Sequence, residues 1–226
     1  MLGARKVAIS GGDKFRDEFS LAFDGSSDYI QTGAKPVDTA DATYVFWMKC
    51  SETGNNRVTF SHGGDSVGGF MVNYSTSGQP LLYLNSNLYQ YWADIPSQDD
   101  GKWHHWAVVV DVDDMTACKL YVDGVEQTQG SRTTSDSVTS YGNLMIGKGT
   151  SDHWEGSMSE FAVYDVMLSA SQVRTLYNGR DPYNHKEGIL TGNLKAWYRM
   201  GDGTLDTTKH FTSPVTEGGV LSDESQ

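Results

Sequence analysis

The chain has 226 residues, with 17 Lys+Arg against 29 Asp+Glu for a net charge of −12, and two cysteines. A chain this long buries roughly 70 % of its unfolded surface and needs no staple, and Cys50 and Cys118 exclude a multi-bridge framework and a four-ligand zinc site, leaving two buried thiols or one disulfide. Scattered basic residues on an acidic chain argue against nucleic acid as a partner, and the longest apolar run, Trp106 to Val110, is far below the roughly 20 residues of a membrane-spanning helix.

Residues 1–18 hold Gly11-Gly12 among mixed charges and read as an N-terminal arm. The segment lacks the apolar stretch of a signal peptide, so the product reads as soluble and made in a cytoplasm. β-like segments then follow in succession. In 19–23 the large residues Phe19, Leu21 and Phe23 share a face. Residues 43–50 are apolar on both faces, as a central strand is. Further strands are predicted at 57–61, 69–75, 81–85, 89–93, 103–112, 118–122, 143–147 and 156–165. Asp123-Gly124 between two of them suits a type I′ hairpin turn. Many strands separated by turn signals predict an all-β, antiparallel two-sheet sandwich.

One helix is predicted at the end of this run. Ser169 stands as N-cap with Gln172 three residues on, a capping box. Val173, Leu176 and Tyr177 share a face, and Gly179 ends the helix. Residues 181–192 read as a linker, 194–200 as an extra strand, and 201–226 as a polar tail that orders on a partner. The core domain is thus 19–180, with 181–226 as a C-terminal extension.

Several segments together resemble one family. Leu21-Ala22-Phe23-Asp24-Gly25-Ser26-Ser27-Asp28-Tyr29-Ile30 resembles F-D-G-x-x-D-Y-V, and Thr43 to Lys49 resembles a T-hydrophobic-x-x-W-V-K strand. Gly101-Lys102-Trp103-His104-His105-Trp106 resembles G-x-W-H-H-V, and Leu120-Tyr121-Val122-Asp123-Gly124-Val125 resembles L-Y-V-D-G-V. Leu144 to Gly147 and Gly156 to Tyr177 resemble the closing segments. In this order they resemble the laminin-G-like, concanavalin A-like lectin/glucanase superfamily, which implies a jelly-roll sandwich and leaves function open. The resemblance also implies a structural calcium held in part by Asp24 and Asp28. Ser159 stands where the family pattern has a carboxylate, which weakens that site, because a hydroxyl supplies no charge to a hard cation.

A narrower resemblance joins the Met1-Leu2-Gly3 start, the Ser20 to Tyr29 segment and a late Leu194, Trp197, Tyr198, Arg199, Met200, Gly201, Asp202 segment. These resemble structural proteins of tailed marine and cyanobacterial phages, which implies a capsid decoration, fibre or knob protein at a virion surface, with other virion proteins or copies of itself as partners.

The chemistry-bearing motifs are sparse. Gly64-Asp65-Ser66-Val67-Gly68 fits G-x-S-x-G, but a strand pattern follows where a hydrolase needs a helix. His104 and His105 are strand neighbours and point to opposite faces, so they do not chelate one ion. Asp99-Asp100 and Asp111, Asp113, Asp114 flank turns without an EF-hand glycine. No E-x-D-x-E triplet sets two carboxylates on one face for glycoside hydrolysis, and Glu160 and Asp165 fall on opposite faces. The chain therefore reads as non-catalytic. Tyr83, Asn85, Tyr89, Tyr91 and Trp92 form the one stretch suited to sugar, with Tyr89 and Tyr91 on one face and Trp92 on the other. The sequence reading is a virion structural protein on a lectin-like sandwich. Its alternative is a carbohydrate-binding lectin or adhesin module, host glycans being a partner under either, and a hydrolase ranks last.

Overall fold

The computed structural model describes residues 15, 17, 19–38, 40–50, 57–62, 68–74, 79–85, 88–93, 95, 99–134, 141–149, 151–188, 190–200 and 220–223. Its strands are β1 (Phe19–Asp24), β2 (Ile30–Gln31), β3 (Ala42–Lys49), β4 (Arg57–Ser61), β5 (Gly69–Tyr74), β6 (Gln79–Asn85), β7 (Leu88–Trp92), β8 (Trp103–Val110), β9 (Lys119–Val122), β10 (Val125–Glu126), β11 (Gln129–Thr134), β12 (Met145–Ile146), β13 (Glu155–Tyr164), β14 (Leu194–Tyr198) and β15 (Val220–Asp223). Among the described residues one α-helix, α1 (Ala170–Tyr177), interrupts them.

The strands form two antiparallel sheets. The first runs β10-β9-β8-β3-β13-β1-β15, with β14 also paired to β13. The second runs β11-β7-β6-β5-β4-β12-β2. The result is the two-sheet sandwich that the strand pattern predicts, consistent with the jelly roll that the family resemblance implies. Period-2 alternation sorts the side chains. In β3, Tyr44, Phe46 and Met48 face the second sheet; in β8, Trp106, Val108 and Val110 do the same. Rings interlock there: Phe46 stacks on Phe161 at 5.4 Å and Tyr44 on Phe60 at 4.3 Å. Each such buried side chain contributes roughly 1.5–3 kcal/mol relative to exposure.

The other parity of the first sheet makes a second core. Val45, Ala107, Val109, Ala162 and Tyr164 face outward and are covered by Leu168, Val173 and Leu176 of the helical segment and by Leu190. The capping box forms as predicted: the Gln172 side chain accepts from Ser169 N–H at 2.8 Å while Ser169 caps the helix. Thr43 ties the helix entry down by donating to Val166 O at 2.8 Å and accepting from Leu168 N–H at 3.0 Å. Asp123 and Gly124 both take positive φ, 50° and 75°, the two left-handed residues that a type I′ turn requires.

The segment predicted as a linker is part of this core. Tyr183 and His185 pack beside Trp197, and Leu190 is buried. Pieces of both chain ends also sit on their own sandwich. Phe15 lies 5.7 Å from Trp197, Ser159 Oγ donates to both carboxylate oxygens of Asp17 at 3.0 Å, and β15 pairs with β1.

A bulge divides β13. Its first half pairs with β1 and its second with β14. Between them Glu160 takes φ 53°, inserting one residue, so that Met158 and Phe161 both face the inter-sheet core. Cys50 and Cys118 are both buried thiols outside any disulfide.

Candidate functional site

The second sheet is covered differently from the first. On β7, Leu88, Gln90 and Trp92 turn inward and are buried, while Tyr89 and Tyr91 turn outward and stay half-exposed. The cross-strand register sets their neighbours: Tyr89 opposes Tyr83 and Tyr91 opposes Leu81. On β11, Thr133 opposes Tyr89 on the other side. Directly opposed residues share a face, so these side chains form one surface.

Val58, Leu81 and Tyr83 are buried within it, and Tyr89 and Tyr91 pack against them. The two half-exposed rings meet edge to face, centroids 5.3 Å apart at 77°. Tyr83 in turn lies over Gly69, its register partner; a Cβ at 69 would stand 2.4 Å from Tyr83 Oη. Glycine is the residue that lets the phenol lie down on the sheet.

The five residues that the sequence picks out for sugar thus separate. Tyr83, Tyr89 and Tyr91 come together. Trp92 does not join them: it is fully buried against Phe70 in the inter-sheet core, because the period of two sends it through the sheet. Asn85 ends β6 and is buried. Val58, Leu81 and Thr133 were missed. Leu81 continues the alternation of Tyr83 and was legible by period; Thr133 lies in the polar edge strand Gln129–Thr134, which has no apolar alternation to mark it.

The carboxylates picked out for calcium close a turn. Asp24 Oδ1 accepts N–H bonds from Ser26, Ser27 and Asp28 at 2.7–3.0 Å, and Oδ2 accepts the Ser26 and Ser27 hydroxyls at 2.8 Å. The Ser27 amide foremost holds this carboxyl well below the usual range. Asp28 Oδ2 accepts Asp24 N–H at 3.0 Å, and burial, then the Asp24 charge, pushes its carboxyl up. Asp28 Oδ1 alone is left without a described partner. Calcium takes six to eight oxygens, and among the described residues no three acidic, His or Cys side chains are grouped for a metal. Ser159 does not complete the set: residue 155, not 159, is the register partner of Asp24, which leaves Ser159 about 13 Å further along the strand. The described donors therefore do not fit calcium.

Other polar groups are committed to the fold. Each ring nitrogen of His104 faces a carboxylate, Nδ1 on Asp123 at 2.9 Å and Nε2 on Asp100 at 3.2 Å. Both nitrogens donate, and the bond to Asp123 leads in raising this histidine's pKa. His105 points the other way, into the outer core against Trp47 and Tyr177. Glu160 binds Trp197 and Arg199, while Asp165 binds Asn193 and Lys195. Ser66 lies outside the described residues; the segment after it is strand β5, not a helix.

Residues 24–174 match the Laminin_G_3 family model, the concanavalin A-like lectin/glucanases superfamily. The rat protein "Sushi, von Willebrand factor type A, EGF and pentraxin domain-containing protein 1" is 26 % identical over 224 residues, covering 89 % of this chain. The chain spans only 6 % of that relative's length. Among solved structures, the heptameric SAP-like pentraxin of Limulus polyphemus superimposes with a TM-score of 0.61 at 17 % identity, over 92 % of this chain and 93 % of that one. Domain 4 of AbnA, a GH43 extracellular arabinanase from Geobacillus stearothermophilus in complex with arabinotriose, does so with a TM-score of 0.51 at 20 % identity, over 70 % and 76 %. At these identities the likeness is one of fold. None of these three is a virion protein.

Proposed function

We propose that this chain, which belongs to the concanavalin A-like lectin/glucanases superfamily, is a non-catalytic carbohydrate-binding module that takes its glycan on the outer face of the second sheet. The observation that carries this is the half-exposed edge-to-face pair Tyr89 and Tyr91, set on a buried bed of Val58, Leu81 and Tyr83. Aromatic rings with a polar rim suit a sugar, which has apolar C–H faces and a hydroxyl edge. The equivalent face of the first sheet is filled by α1 and Leu190. The arabinotriose complex of a domain of the same fold supports the reading. The reading assigns calcium no part, because the donors of the Asp24–Asp28 turn, Asp28 Oδ1 apart, are spent on the turn itself among the described residues.

The second reading, a virion structural protein docked on a capsid or fibre, rests on the sequence resemblance alone. That reading expects the 201–226 tail to order on a partner, whereas β15 pairs with β1 of its own sandwich.

A glycan array probed with the purified protein, with and without calcium, tests the proposal. Reproducible binding that is indifferent to calcium and is lost in Tyr91→Ala supports it. A folded protein that binds nothing, or whose Tyr91→Ala variant binds equally well, refutes it.

A further inference from the structure

We infer that the glycan taken by this face is uncharged and short, recognised over one or two sugar rings. The inference rests on the carbohydrate-binding reading above and narrows it.

The charge distribution carries the first half. Val58, Leu81, Tyr83, Tyr89, Tyr91 and Thr133 are all neutral, as are Gly130 and Ser131 beside the bulge in β11. The nearest basic residue in the register is Arg132. It is exposed, but it opposes the inward Gln90 and so lies on the parity of β11 opposite to Thr133. Gln129, at the start of the same strand, likewise reaches inward to Thr116 O and Cys118 O. Arg57, beside Val58, is paired with Glu155 of the other sheet.

A sulfate or carboxylate brought onto this face would lose water without meeting a cation among the described side chains that form it, and desolvating an unpaired charge is costly. The chain's net charge of −12 opposes its approach as well. A neutral sugar meets neither cost.

The dimensions carry the second half. Tyr89 and Tyr91 are the two rings of the cluster that reach solvent, two residues apart on a strand, about 7 Å, with ring centroids 5.3 Å apart, while Tyr83 lies buried beneath them. A platform of that size is covered by one or two rings.

The test is a titration with two panels at about 50 and 500 mM NaCl, salt being the variable that screens exposed charge. One panel is neutral, arabinotriose and other neutral di- and trisaccharides. The other is anionic, sialyllactose and a heparin tetrasaccharide. Wild type, Tyr91→Ala and Thr133→Lys are compared, with melting temperature as the folding control. The expected result is a neutral ligand whose Kd changes less than about two-fold with salt, lengthening beyond two rings adding nothing, and loss of binding in Tyr91→Ala. Thr133→Lys should add salt-sensitive binding of the anionic panel. Binding confined to the anionic panel and falling about ten-fold with salt overturns this inference and leaves carbohydrate binding standing. Affinity that keeps rising with chain length overturns the size assignment. No binding in either panel by folded protein overturns the underlying reading, and this inference with it.

Discussion

Arg199 donates from Nε to Glu160 Oε1 at 3.1 Å, with the two side chains 3 % and 1 % exposed. The pair sits at the bulge of β13, where β1 and β14 meet end to end. Trp197 Nε1 donates to the other Glu160 oxygen at 2.7 Å, and the Phe15 ring lies 4.5 Å from the Arg199 guanidinium carbon. The N-terminal segment thus caps a buried ion pair in the outer core. Removing one partner of such a pair leaves a buried charge alone, at a cost of about 3–5 kcal/mol.

Arg199→Ala is therefore expected to lower the unfolding free energy by about 3–5 kcal/mol. Phe15→Ala, which only uncovers the pair and deletes a cation–π contact, should cost about 1 kcal/mol. Urea denaturation of the three proteins checks both values. Equal, small losses would mean that the pair is not buried in solution.

Acid should destabilise the fold through buried neutral histidines. Burial lowers His62 to about 4 and His105 and His185 to about 3. Burial holds His62 neutral, and its partners set the tautomer: Gly142 O can only accept from Nδ1, so Nε2 accepts the Tyr44 hydroxyl at 2.7 Å. In the unfolded chain these rings charge near pH 6.5, earlier than in the fold. Stability is then complete above about pH 6.5 and falls as pH drops toward 4, by on the order of 3 kcal/mol for His62. His104 runs the opposite way: its raised pKa gives stability that is present below 6.5 and lost as pH climbs through the folded value. Unfolding free energies from pH 8 to 4 check the net slope. His62→Gln should flatten it, and an unchanged slope would contradict the assignment.

Both cysteines should remain unreactive in the folded protein. Burial pushes the Cys118 thiol up to about 12, and Cys50 is equally enclosed. A thiolate reagent is expected to count two thiols only after denaturation. Fewer than two in denaturant would reveal a disulfide.

Gly69→Ala should damage the glycan face and the fold together. The added Cβ meets Tyr83 Oη at 2.4 Å and Phe60 O at 2.8 Å, and the latter is backbone with no freedom to move aside. A loss of about 1–3 kcal/mol, with glycan binding weakened through a displaced Tyr83, is the expected outcome. Thermal unfolding and the glycan titration check the two effects separately.

Much of this architecture was legible in local pattern. Strand alternation, the Ser169–Gln172 capping box and the Asp123-Gly124 turn are short-range signals, and each appears where the residues predict it. Period 2 also sorts β7 as predicted: Tyr89 and Tyr91 share a face opposite Trp92. The remainder depends on long-range pairing. Nothing local marks β11 or β15 as strands, because an edge strand needs no apolar face. The Asp17–Ser159 contact joins residues 142 apart, and the Glu160–Arg199 pair depends on a bulge that the alternation of β13 hides. The segment 181–192 looked like a linker because its packed residues, the half-buried Tyr183 and the buried His185 and Leu190, join the outer core singly and follow no period.

The most direct test of the glycan face is the mapping of backbone and tyrosine-ring NMR shifts during titration with a bound neutral oligosaccharide. The account predicts that the largest shifts fall on Tyr83, Tyr89, Tyr91 and Thr133, with Trp92 and the Asp24–Asp28 turn little changed. Shifts centred on the Asp24–Asp28 turn or on the α1 face, with the three tyrosines silent, would contradict it.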